Sequence, residues 1–158
     1  MSCRSAILAV AALTAAFLAS AGPAGAALGR AYSSVDTDRL TLGATVASTF
    51  ASTFAGAYTV HTLTLPNHGV VKEFTRADGL VFALVWQAPG RPDLRQLLGD
   101  NFEIVQADNA RVGPRVRRPL AVNRANLVLK TGGHPGAFWG AALLPQLEPA
   151  GFSASDLK

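Results

Sequence analysis

The stretch Leu80-Val81-Phe82-Ala83-Leu84-Val85-Trp86 decides the fold. It is apolar at every position, rich in β-branched and aromatic residues, and bounded by Asp78-Gly79 before it and Pro89-Gly90 after it. A strand with one wet face alternates apolar and polar residues, whereas a strand covered on both faces need not. Short length and flanking turn residues favour a strand over a buried helix segment. The expectation is a ribbon in the middle of a sheet, sandwiched on both sides.

Outward from this ribbon, the preceding residues read as two partner strands. Residues 58–65 (Tyr-Thr-Val-His-Thr-Leu-Thr-Leu) alternate and carry β-formers. Pro66-Asn67-His68-Gly69 is a turn, and residues 70–75 return, with Lys72 and Glu73 marking a partly solvated stretch. Arg76-Ala77-Asp78-Gly79 is a second turn with the Asp-Gly hairpin signal. Together these predict a three-stranded antiparallel meander.

On the other side, Pro92-Asp93-Leu94-Arg95-Gln96-Leu97-Leu98 opens a helix, with proline suited to its first position and Asp93 facing its positive end. Leu94, Leu97, Leu98, Phe102 and Val105 keep one apolar face, which carries the helix to about Gln106. Termination at Gly99 is the rival reading, because glycine costs about 1 kcal/mol in a helix interior. Residues 115–122 and 127–131 read as two strands around Asn123-Arg124-Ala125-Asn126, and Pro119 places the first near an edge or delays its start. Residues 138–144 form a last strand, and Ser153 caps a final turn. The fold class expected is α+β: an antiparallel β-meander sheet of about five to six strands packed by one main helix, with a short N-terminal helix. That helix or a curled sheet would cover the second face.

The N-terminal residues read as a targeting segment. Arg4 precedes an uncharged apolar run, Pro23 breaks it, and Ala24-Gly25-Ala26 offers the small residues of a cleavage site. The expected division is a signal peptide at 1–26, an N-terminal helix and Ala/Ser/Thr-rich linker at 27–57, and the α+β core at 58–158. Ser33 or Ser34 caps the short helix, with Val35, Leu40 and Leu42 inward. Ala-Ser-Thr-Phe occurs twice in tandem over residues 47–54, and its period of four puts Phe50 and Phe54 on one helical face, as a helical turn or linker. The mature chain is expected to be periplasmic or secreted, with no transmembrane segment.

Cys3, the only cysteine, lies before the apolar run, so the mature chain has no thiol for a disulfide, a nucleophile or a thiolate metal site. The net charge is +4 and the pI about 9.8. Arg111, Arg115, Arg117, Arg118, Arg124 and Lys130 follow Asp108 with no carboxylate among them. An exported basic segment meets anionic lipid headgroups, lipopolysaccharide or acidic glycans, and nucleic acid is not an expected partner. A solvated face that aids solubility is the plainer reading.

Three imidazoles, His61, His68 and His134, offer metal or acid–base chemistry, but none has the spacing of a ligand pair. His134 follows Gly132-Gly133, whose backbone could hold an anion in a turn, and would be the general base of a hydrolase. No Gly-x-Ser-x-Gly elbow, dinucleotide fingerprint or P-loop accompanies it. Phe138 and Trp139 beside glycines could form an aromatic platform; in a strand they point to opposite faces.

The run Tyr58-Thr-Val-His61, the Pro92 to Gly99 helix with Phe102, and Gly132-Gly133-His134 with Ala137, Phe138 and Gly140 together resemble a domain-of-unknown-function family of small exported proteobacterial proteins. The resemblance covers nearly the whole mature chain. It implies a signal peptide and one small domain, and implies no activity, cofactor or catalytic residue. The duplicated Ala-Ser-Thr-Phe and Pro135 depart from the family's pattern. The functional expectation is a non-catalytic envelope protein that contacts an anionic ligand, a glycan or a protein partner. Arg115, Arg117, Arg118, His134 and Trp139 are the candidate contact residues, with no metal and no cofactor. A hydrolase using His134 and a periplasmic metal binder using His61 and His134 are the alternatives.

Overall fold

A computed structural model describes residues 28–31, 39–40, 42–51, 58–111 and 119–157, and for 46–51 it describes the backbone. The elements in chain order are β1 (Thr45–Ala51), β2 (Tyr58–Thr64), β3 (Val70–Arg76) and β4 (Val81–Ala88). There follow α1 (Leu94–Leu98), α2 (Phe102–Ala110), β5 (Ala121–Asn123), β6 (Val128–His134) and β7 (Ala137–Leu143). The strands among the described residues form one sheet in the order β1-β2-β3-β4-β7-β6-β5, with every neighbouring pair antiparallel.

The apolar ribbon is β4, and it stands in the centre with three strands on each side. Its side chains feed two cores. Val81, Leu84 and Trp86 join the core under the helices with Leu97, Leu98 and Val105. Phe82 and Ala83 join Phe74, Leu143 and Phe152 on the other face. Neighbouring residues 82 and 83 share a face because β4 carries a bulge: pairing steps from Phe74 opposite Ala83 to Thr75 opposite Val81, leaving Phe82 as an extra residue.

Asp93 caps α1, its Oδ1 accepting from Arg95 N at 2.9 Å and Gln96 N at 3.2 Å. The helix does break at Gly99, whose φ of +52° suits glycine alone at little cost. One 3₁₀ turn (Gly99–Asn101) later it resumes as α2 and runs to Ala110. Both sequence readings are therefore half right: the apolar face continues, and the backbone is interrupted.

Two expectations are corrected. Thr45–Ala51, read as helical turn or linker, pairs along β2 as an edge strand and brings the expected antiparallel sheet to seven strands. Part of the second face is covered by the C-terminal segment. Phe152 inserts among Tyr58, Phe74 and Phe82, meeting Phe82 edge-on at 4.9 Å between ring centroids. Ser153 and Asp156 form a capping box over the last turn (Ala154–Asp156), and Tyr58 Oη donates to Asp156 Oδ2 at 3.4 Å. Finally, Glu73 is fully buried, opposite the buried His61 on the helix side of the sheet.

The segment expected as signal peptide lies outside the described residues, as do residues 32–38 of the short helix and Phe54. Leu40, expected inward, is 71% exposed, whereas Leu42 packs against the core. Residues 28–31 are tied down: Gly29 N donates to Val81 O at 2.7 Å and Val81 N donates to Arg30 O at 2.9 Å. Among the described residues no helix is long and apolar enough to cross a membrane.

Candidate functional site

The hairpin of β6 and β7 turns on two residues, Pro135 and Gly136, and Gly136 N donates to Pro89 O at 3.0 Å. That bond pins the hairpin against the chain leaving β4. The register then sets Gly140 beside Trp86 and Gly132 beside Trp139. Both glycines are needed for their neighbours' rings. A Cβ on Gly140 would run into the Trp86 indole, and one on Gly132 would stand 2.5 Å from Cζ2 of Trp139. Trp86 is buried at 2% exposure, while Trp139 is 50% exposed.

On the helix side, a groove of about 720 Å³ opens between the start of α1, the approach to β5 and the hairpin; its lining includes Trp86, Arg91, Leu94, Leu120, Phe138 and Trp139. The Arg91 guanidinium lies over the Phe138 ring, 5.2 Å from its centroid, an arrangement in which the ring's quadrupole attracts the cation. Among the described residues no carboxylate lies within ion-pair distance of Arg91. Asn109 and Pro119 also line the groove, so the chain bearing Arg111, Arg115, Arg117 and Arg118 departs from and returns to its rim.

Arg115, Arg117 and Arg118 lie outside the described residues. Two other members of the basic segment are held by Asp108. Arg124 grips it through Nε to Oδ2 at 3.0 Å and Nη2 to Oδ1, and Arg111 Nη1 stands 3.7 Å from Oδ1. The hydrogen bond from Arg124 holds the Asp108 carboxyl below the usual range, and Asp108 in turn raises the Arg124 guanidinium. This pair ties the end of α2 to the turn between β5 and β6.

His134 is exposed at the end of β6, where its Nδ1 donates to Pro135 O at 3.0 Å. Among the described residues no carboxylate bonds to it, and it is not among those lining the groove. His61 is buried in β2, and burial pushes its imidazole down. β3, β4 and β7 stand between the strands that carry the two histidines, so they share no site. Among the described residues no cluster of three or more His, Cys, Asp or Glu side chains is placed to hold a metal. Of the candidate contact residues, Trp139 is thus the one that lines the groove, while the register turns its indole over Gly132 on the face opposite Trp86. Arg91 is the groove residue that sequence reasoning missed; its only signal is a cation in Pro89-Gly90-Arg91-Pro92, where an aromatic-ended strand stops.

A family model described as a protein of unknown function (DUF2844) matches residues 24–157. No curated protein and no solved structure matches the chain.

Proposed function

The chain belongs to the DUF2844 family of proteins of unknown function, and we propose that it is an exported, non-catalytic envelope protein that binds an anionic component of that envelope in the groove. The observation that carries this reading is Arg91, stacked on Phe138 inside an open groove and without a carboxylate at ion-pair distance among the described residues. A guanidinium presents a planar fork of donors that matches a carboxylate or phosphate bidentately, and the aromatic wall beneath it keeps one side dry. In the sequence, the segment between the groove-lining Asn109 and Pro119 carries Arg111, Arg115, Arg117 and Arg118. Export rests on the targeting pattern of residues 1–26.

The test is retention of the mature protein on lipopolysaccharide and on anionic vesicles at low salt, with neutral vesicles as the reference. Arg91→Ser is expected to weaken retention at least tenfold, consistent with loss of a charge-assisted hydrogen-bonded pair. Arg115, Arg117 and Arg118 changed together to Ser are expected to lower retention further and to reduce its salt dependence. Equal retention on neutral and anionic surfaces, or an Arg91→Ser protein that binds like wild type, overturns the proposal.

A further inference from the structure

Among the described residues, only half of the sheet's second face is covered. Three successive rungs across β2, β3, β4, β7 and β6 can be followed by register. The rung of Val60, Phe74, Ala83, Leu143 and Val128 lies in or against the core that Phe152 closes. Two rungs further toward the hairpin, the residues are Thr64, Val70, Gln87, Trp139 and Gly132. Each of these is half-buried or exposed. Between the two lies the rung of Thr62, Lys72, Val85, Ala141 and Lys130, in which Val85 packs against the Phe152 core and the Lys130 side chain is exposed.

This outer half is shaped for an extended ligand. Its side chains are short except for Trp139, and that indole lies across Gly132 instead of standing up from the sheet. Five strands at about 4.8 Å spacing give a strip roughly 19 Å long. Thr64 and Gln87 supply hydroxyl and amide groups along it, and Lys72 and Lys130 bring positive charge to the neighbouring rung. Neither of these two rungs contains a carboxylate.

The geometry points to an acidic polysaccharide laid across this strip. A sugar ring presents a face of C–H bonds that carry slight positive charge, and the indole presents a negative π face, so the two stack. The carboxylates of a uronic-acid chain project at intervals along it, and one beside the stacked ring meets the exposed Lys130. A lipid headgroup would engage the lysines but would leave the flat ring and the polar row without a role. This inference rests on the reading that the protein binds an anionic envelope component, and it adds the strip as a second contact surface, for a glycan, beside the groove. Trp139 also lines the groove, and Lys130 does not.

The experiment is affinity electrophoresis of the mature protein through native gels containing polygalacturonate or its fully methyl-esterified form, which has the same backbone without the charge. Wild type is expected to be retarded by polygalacturonate and at least tenfold less by the ester. Trp139→Ala and Lys130→Ser are each expected to weaken the retardation at least tenfold, and Trp139→Tyr to restore most of it. Because both side chains are exposed, unchanged melting temperatures would confirm that the variants fold. Equal retardation by acid and ester overturns the charge assignment. Wild-type behaviour of both Trp139→Ala and Lys130→Ser overturns the strip. Loss in Arg91→Ser alone puts the glycan in the groove and overturns the strip while the groove reading stands. Binding to lipopolysaccharide or anionic vesicles without binding to polygalacturonate overturns the glycan and leaves the proposed function intact.

Discussion

Trp86 and Trp139 repeat one local arrangement with opposite outcomes. Each indole lies across a glycine of the adjacent strand, and the two pairs sit next to each other in the register, on opposite faces of the sheet. Trp86 is roofed by the helices and becomes core; no helix among the described residues roofs Trp139, which stays half exposed. A ring set on a glycine is therefore neither a core device nor a binding device in itself. What lies over it decides, and that depends on which face the C-terminal segment and the helices happen to cover.

This contrast can be broken by measurement. The largest effect is expected for Trp86→Ala, about 3–5 kcal/mol in urea denaturation, from lost burial and the cavity left behind. Gly140→Ala comes next, at about 1–3 kcal/mol, because the new methyl group enters a buried ring with no room to turn. A smaller, pH-dependent effect marks the buried side at His61. Its imidazole is pushed down in the folded protein, so the unfolded chain takes up the proton first as pH falls below about 6.5. Stability from this source is fully present above that pH and is lost as pH falls toward the lowered native value. His61→Gln should flatten that part of the pH profile between 7 and 5. Gly132→Ala should change stability least, by under about 0.5 kcal/mol, because the exposed Trp139 ring can swing aside. If Gly132→Ala proves as damaging as Gly140→Ala, exposure is not what separates the two pairs.

The local elements were legible in the sequence. The meander of β2, β3 and β4 follows from alternation and Asp-Gly, and the start of α1 follows from Pro92 and Asp93. The strand β1 was not, because Ala, Ser, Thr and Phe at a spacing of four satisfy a helix period as well as a strand. Burial of Glu73 was hidden too, since a carboxylate beside a lysine ordinarily signals solvent. Nor could sequence place β7 against β4, a pairing between residues separated by most of the helical segment. For the site, Trp139 was visible as an aromatic beside glycines. Arg91 was not, because its importance comes from Phe138, which reaches it only through that long-range pairing.

The central place of β4 also shapes how the chain assembles. Its β3 side is zipped by a tight turn, but its other side must wait for β7, which begins at Ala137, roughly fifty residues after Ala88. At synthesis rates of about 5–20 residues per second, that interval lasts several seconds. Throughout it, the oiliest strand of the molecule presents an open row of amides and carbonyls to any other nascent copy nearby. Self-association should therefore be a hazard of the half-made protein, and a holdase that grips extended apolar segments should raise the yield of the finished one.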